Sequence, residues 1–348
     1  MNTILDVLFL VATLLSTGVL TSMLRRYSIA RALFDIPNNR SSHTVPTPRG
    51  GGLAIVVSFL VALLILCSFD RIDPSLVAGL LGAGVLVALI GFVDDHRHIA
   101  AGWRLLVHFT AAGWLLYILG GFPPLPVLGL TLDLAWLGYL LAGLYLVWLL
   151  NLYNFMDGID GIAGVEAITV CLGGIVLYWI IGSMSVTYIV PTLLLAAVAG
   201  FLFWNFPRAK IFLGDVGSGF LGLMLGALSL QAAWIEPKLF WGWLILLGVF
   251  LVDATVTLVR RIIRKEKFYE AHCSHAYQHA ARQLNSHVRV TLSIGLINLI
   301  WLLPIAVLVV LDYFDGIVGV LIAYIPLVLL AIKYKAGAHQ VQKVNLIK

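Results

Sequence analysis

Apolar residues run along this chain in long unbroken blocks, separated by short polar segments rich in Gly, Pro, Asp and Arg. A helix needs about 20 mostly apolar residues to cross the hydrocarbon core of a bilayer. On that measure the chain predicts eleven spans, at about 3–23, 51–69, 75–93, 104–120, 134–152, 159–181, 187–204, 213–232, 238–258, 290–311 and 316–332. No alternation of apolar and polar residues marks a strand, and in lipid an open chain satisfies its backbone by forming helices. The expected fold is therefore all-α, a polytopic transmembrane bundle with residues 1–348 as one membrane domain.

Composition supports a membrane solvent. The chain is 61% hydrophobic and 11% charged, against roughly 25% charged in soluble domains. Cys67 and Cys171 sit inside apolar blocks and Cys273 in a polar loop, which is no disulfide framework. No basic residue precedes the first block, and Arg25 and Arg26 follow it, so that block is expected to stay as a span rather than be cleaved as a leader.

Lys and Arg set orientation. With the N-terminus outside and the C-terminus cytoplasmic, the inner loops fall at about 25–50, 94–103, 153–158, 205–212 and 259–289. Together with the span ends and tail beside them they hold 20 of the 22 basic residues; only Arg71 and Lys238 lie outside. The net charge of +5 then reflects topology, and no nucleic-acid partner is expected.

The acids divide differently. Asp94, Asp95, Asp157, Asp160 and Asp215 all lie at helix ends or turns on the inner side, from three separate loops. Acids at membrane depth are functional candidates by default. Asp94 and Asp95 are adjacent carboxylates that cannot both ionise cheaply without a cation, which a metal, Arg97 or Arg104 could supply; a solvated helix cap is the plain alternative. Asn154, Asp157 and Asp160 recur at i, i+3 and would share one helix face. Their glycine spacing lacks the ligand count and downstream glutamate of a calcium loop.

Around Asp215 the run Phe212-Leu213-Gly214-Asp215-Val216-Gly217-Ser218-Gly219 offers backbone amides to phosphate at a helix start, a carboxylate for a divalent cation and an aromatic surface. It is not a P-loop, since no Gly-Lys-Ser/Thr follows. In the first inner loop, Arg40, His43 and Arg49 are phosphate donors among prolines and three glycines, although a turn-rich basic loop would look similar. In the last inner loop, His275 and His279 have a metal-ligand spacing, but no second cysteine pair completes a zinc site beside Cys273. Gathering phosphates is the better use of His272, His275 and His279. Asp253 is expected to pair with a basic group or line the site. Mg²⁺ binds through one or two carboxylates plus substrate phosphates, so the inner face carries equipment for phosphoryl transfer.

These motifs resemble those of the polyprenyl-phosphate N-acetylhexosamine-1-phosphate transferases. That family includes the phospho-MurNAc-pentapeptide transferase of peptidoglycan synthesis and the GlcNAc-1-phosphate transferases that start O-antigen and teichoic-acid linkage units. The resemblance runs from about residue 35 to 280, on PTPRGGG (46–52), VDD (93–95), NFMDGIDGIAG (154–164), FLGDVGSG (212–219) and the histidine loop (272–279). It implies transfer of sugar 1-phosphate from a UDP-N-acetylhexosamine to undecaprenyl phosphate, with release of UMP, in the bacterial inner (cytoplasmic) membrane. It leaves a homodimer open.

By the same resemblance Asp215 is the ligand for Mg²⁺, with Mn²⁺ an alternative. Asp94, Asp95, Asp157 and Asp160 are the catalytic acids, with Asp94 deprotonating or orienting the lipid phosphate. Asn154, Asn205 and Phe212 bind substrate, with Asn205 and Phe212 at positions that contact uridine, while Arg40, His43, His275 and His279 join the expected substrate-binding set on their own chemistry as phosphate donors. Both direct attack and a covalent aspartyl intermediate are compatible with the pattern. One departure stands out: many relatives carry His-x-His-His in the last loop, where this chain has His275-Ala276-Tyr277-Gln278-His279. That version is similar to the O-antigen-initiating branch that uses 6-deoxy sugars such as FucNAc or QuiNAc, with GlcNAc the other option. Two rival readings are the peptidoglycan reaction and a secondary transporter, though transporters place their polar groups at the bilayer midplane in repeated halves.

Overall fold

A computed structural model of the chain describes residues 3–37, 42–97, 99–183, 188–266 and 272–338. Arg40 lies outside the described residues. The fold is almost wholly helical. In chain order come α1 (Thr3–Ala30), α2 (Gly52–Ser68), α3 (Pro74–His96), α4 (Ala101–Leu119), α5 (Ala135–Met156), α6 (Ile162–Ile180), α7 (Ile189–Asn205) and α8 (Asp215–Ile235). They are followed by α9 (Lys238–Leu246), α10 (Gly248–Ile263), α11 (Ala276–Leu284), α12 (His287–Leu296), α13 (Leu303–Val310) and α14 (Gly316–Lys333). Two short antiparallel ribbons complete it, Phe34–Asp35 with Thr47–Pro48 and Leu125–Val127 with Leu130–Leu132.

Every apolar block of the sequence falls on helix. Among the described residues, 8 helices are long and apolar enough to cross a membrane, or 9 if α9 and α10 form one span bent by 69°. α2 and α7 are apolar but stop at 17 residues, just under the usual ~20. The count of eleven took these two and the bent pair as full crossings. The chain is thus a multi-pass integral membrane protein.

Local chemistry explains the breaks. Asp73 starts α3 by accepting from the amides of Ser75 and Leu76, with Pro74 at the first helical position. The expected span 290–311 is interrupted by a π-turn at Ile297–Leu302, directly before Pro304 in α13. Proline lacks the N–H for the next helical bond, and a wider turn accommodates it. Arg71 and Lys238, the two basic residues set apart by the charge pattern, are both paired. Arg71 grips Asp6 through two bonds of 2.7 and 2.9 Å, and Lys238 meets Asp312.

α8 is the centre of the bundle, with 94% of its membrane window buried, whereas α1 lies at the edge with 17%. Small residues let neighbours press onto it. A Cβ on Gly52 would meet the backbone of Gly217, where α2 and α8 touch without side chains between them. Such close approach is the usual way helices pack in lipid. It places the N-terminus of α8, and with it Asp215, against the ends of α2, α3 and α5.

Candidate active site

The inner loops are fastened to each other by backbone bonds. The amide of Gly51 donates to the carbonyl of Phe212 at 2.9 Å, Gly52 to Leu213 at 2.8 Å, and Phe212 to Pro48 at 2.8 Å. The PTPRGGG and FLGD segments therefore form one surface, and bulk on Gly51 would strike the Phe201 ring at 2.7 Å. Beneath that surface a cavity opens among the loops. His43, Asp95, Asn154, Asp157, Asp160, Asn205, Phe212 and Asp215 all border it, so eight residues singled out from three loops and four helix ends share one space.

Each is held by identifiable partners. Asn154 donates to Asp215 Oδ1 at 2.8 Å and to Ser218 Oγ at 3.1 Å, tying the end of α5 to the start of α8. Asp95 accepts from the amides of Asp215 and Val216 at 3.2 and 3.3 Å. It thereby caps α8, where a carboxylate is favoured by the free amides and the helix dipole. Asn205 is 3% exposed, accepting from Gly161 N and donating to Ile211 O, both at 2.9 Å. Its amide thus fixes two loops of the cavity wall. Phe212 meets His43 edge-on, ring centres 4.9 Å apart.

The expected common helix face for Asn154, Asp157 and Asp160 does not exist, because α5 ends at Met156 and Asp157 caps it with ψ 57°. The loop itself turns all three toward the cavity. Burial first, then the charges of Asp215, Asp95 and Asp160, push the Asp157 carboxyl up to about 7. Asp160 is engaged elsewhere as well: Oδ1 lies 3.3 Å from His287 Nδ1, and Oδ2 accepts from Ala209 N at 3.3 Å.

Asp94 parts company with Asp95. It accepts from Ile99 N at 2.9 Å and pairs with Arg104 at 2.5 Å, and it borders a second, smaller cavity. Arg104 Nη1 also comes within 3.6 Å of Asp215. Adjacent residues on a helix point about 100° apart, so one motif serves two spaces.

The histidine loop departs most from expectation. His275 is 2% exposed and stands 3.4 Å from Asp253 Oδ1. Asp253 also accepts from the amides of Ala276 and Tyr277, both at 2.9 Å, so it anchors the start of α11. That meets the expectation that Asp253 pairs with a basic group. Neither His275 nor His279 borders the cavity; Gln278 and His287 do. Burial, then His275 and Arg261, hold His272 down at about 3, and burial with Arg282 lowers His279. These two imidazoles are neutral at pH 7, so they supply no positive charge for phosphates. Among the described residues no three His, Cys, Asp or Glu side chains converge as a metal cage.

Gln278 and His287 carry no local sequence signal of a site. Gln278 was visible only as a departure from a histidine pattern, and His287 stands alone at the head of a span. Arg49, noted as a loop donor, is the one arginine on the main cavity wall among the described residues. Asp35, Asp95, Asp157, Asp160 and Asp215 face it. The excess of carboxylate oxygen fits a hard divalent cation such as Mg²⁺, which takes one or two protein carboxylates and leaves its other positions to water and phosphate. Of these acids, Asp215 has 37% of its side chain accessible.

An acid-lined cavity at one end of a polytopic helical membrane bundle is the candidate active site. The model of glycosyl transferase family 4 matches residues 77–233. The chain is 30% identical to a probable undecaprenyl-phosphate N-acetylglucosaminyl 1-phosphate transferase of Bacillus subtilis, over 86% of this chain and 83% of that one. It is 29% identical to a decaprenyl-phosphate N-acetylglucosaminephosphotransferase of Mycolicibacterium smegmatis, covering 79% and 75%. It is 32% identical to a phospho-N-acetylmuramoyl-pentapeptide-transferase of Kosmotoga olearia, covering 61% and 68%. The chain belongs to glycosyl transferase family 4, the polyprenyl-phosphate hexosamine-1-phosphate transferases.

Proposed function

We propose that this enzyme transfers an N-acetylhexosamine 1-phosphate from a UDP-sugar to undecaprenyl phosphate at the cytoplasmic face of the bacterial inner membrane, releasing UMP. The product would start a cell-surface polysaccharide such as O-antigen. The observation that carries this reading is the convergence of Asp157 and Asp215 with Arg49 and Phe212 around one cavity. The placement of 20 of 22 basic residues supports the cytoplasmic face.

In this reading Phe212 packs against the uracil, and Arg49 with His43 holds the diphosphate. Asp215 and Asp157 are the residues that would hold Mg²⁺. When bound, that ion neutralises the diphosphate and the leaving UMP. Asn154 fixes the Asp215 carboxylate, and Asp95 fixes the backbone beneath it. An oxygen of the lipid phosphate attacks the phosphorus that bears the sugar. The bond from that phosphorus to the bridging oxygen breaks, and the electron pair leaves with UMP. No covalent enzyme intermediate is needed, because an ionised phosphate is already a nucleophile.

The N-acetylglucosaminyl relatives make UDP-GlcNAc the first donor to try. Gln278 on the cavity wall, in place of a histidine, supports a 6-deoxy donor as the second. The test supplies purified protein with Mg²⁺, undecaprenyl phosphate and a panel of UDP-N-acetylhexosamines, with mass analysis of the lipid. One donor should give a lipid diphosphate sugar and stoichiometric UMP. No product from any donor would refute the proposal.

A further inference from the structure

Where α5 ends, a tyrosine from a distant part of the chain reaches in. The last carbonyls of a helix have no partner within it, and α5 stops at Met156 with Asp157 as its cap. One of those carbonyls, Phe155 O, accepts from the hydroxyl of Tyr277 at 3.0 Å. Tyr277 lies in the first turn of α11, 122 residues further along the chain, and is 4% exposed.

The backbone beneath that hydroxyl is shaped to admit it. A Cβ on Gly158 would stand 2.2 Å from the Tyr277 hydroxyl oxygen and 3.2 Å from Gln278 Nε2. The φ of Gly158 is not in the left-handed region, so no turn requires glycine there. Its missing side chain makes room for the hydroxyl instead. The other end of the tyrosine is held as well. Its amide donates to Asp253 Oδ2 at 2.9 Å, and its ring centre lies 5.7 Å from that of His275, with the planes inclined by 27°. Asp253 thus sets the base of Tyr277, and the tip of Tyr277 sets the end of α5.

Asn154, Asp157 and Gly158 flank the bonded carbonyl and border the main cavity, whereas Tyr277 does not border it. We propose that Tyr277 is a positioning residue of this site: its hydroxyl fixes Phe155 O, and through it the direction in which Asn154 and Asp157 leave α5. Tyr277 stands where many relatives carry the first of two adjacent histidines, and in this chain it braces the loop. The rate effect rests on the transferase reading; amide exchange tests the brace apart from that reading.

The full-length protein in detergent is compared with Tyr277→Phe, Gly158→Ala and the double variant, using the UDP-sugar that wild type accepts. Tyr277→Phe keeps the ring and removes only the hydroxyl. It should lower kcat about tenfold, short of the roughly 10²-fold cost of a 1 Å misplacement, with KM for donor and lipid phosphate within about twofold. Amide exchange should rise at residues 157–160 and stay at the wild-type level in α8. Gly158→Ala alone should cost about tenfold or more in kcat, yet only about twofold further once the hydroxyl is gone, because the two changes break one contact. A wild-type kcat in Tyr277→Phe would overturn the inference. So would a tenfold rise in KM with kcat unchanged, which marks a substrate contact, or losses that simply multiply in the double variant. If wild type forms no product with any donor, the transferase reading fails and exchange decides alone. Faster exchange at 157–160 in Tyr277→Phe then supports the brace, and unchanged exchange overturns it.

Discussion

Gly91 offers the sharpest test of how the site is held. A methyl group added there would stand 2.7 Å from the Asp215 carbonyl oxygen and 2.7 Å from the Val216 nitrogen. Both obstacles are backbone, so no side chain can rotate away. Van der Waals contact begins near 3.5 Å, and α3 and the tip of α8 must therefore separate by up to about 1 Å. The same tip carries the 3.2 and 3.3 Å bonds to Asp95 and the 2.8 Å bond from Asn154 to Asp215. Overpacking of this kind costs about 1–3 kcal/mol of stability. A misplacement near 1 Å at a reacting centre costs about 10²-fold in rate. Gly91→Ala should therefore lower the initial rate of UMP release about 10²-fold at temperatures where it remains folded. Gly102→Ala is the control, since a Cβ at Gly102 meets nothing within 4 Å, and it should stay within about twofold of wild type. A near-wild-type rate in Gly91→Ala, with a normal thermal midpoint, would refute the reasoning.

Asp215→Asn should abolish Mg²⁺-dependent UMP release while leaving the thermal midpoint in detergent close to wild type; undiminished turnover would remove Asp215 from the metal role. Asp253→Ala strands the amides of Ala276 and Tyr277 that it now accepts, at about 1–3 kcal/mol each, and amide exchange should rise at the start of α11 before anywhere else. Asp73→Ala removes the cap of α3 and should cost about 1 kcal/mol at neutral pH. The Ser75 hydroxyl, then the amides of Leu76 and Ser75, hold the Asp73 carboxyl below its usual range. Its stabilising effect is thus complete above about pH 4 and is lost as the pH falls through the lowered value. The gap between wild type and variant should narrow in acid, which thermal melts across pH would show.

How far the sequence could be followed depended on whether a feature was local. The apolar blocks are local, and each one became helix. The bend between α9 and α10 is not: no proline marks it, and Gly248 there lies beneath the Tyr324 ring of α14, 2.8 Å from where a Cβ would be. In the site, the acids could be gathered in advance because helices that alternate direction bring their loops to the same end. Spacing was a poorer guide. The i, i+4 relation of His275 and His279 suggested paired ligands, yet His275 precedes α11 with an extended ψ of 152° and turns to Asp253. Asp94 and Asp95 looked like a single acidic pair, but helix geometry sends one to each cavity. His287 reaches Asp160 only because α12 packs against α6, a contact that no short segment encodes.

The enclosure of α8 also bears on how the protein comes into being. This helix enters the bilayer after α1 to α7 and before α9, which packs along it. Until it arrives, Asp95 has no amides to cap and Asn154 has no carboxylate to hold. Both parts of the cavity wall made earlier wait for a segment synthesised more than a hundred residues after Asp95. Catalytic competence is thus a late event in biogenesis, and a chain released before α8 would sit in the membrane with its acids unassembled.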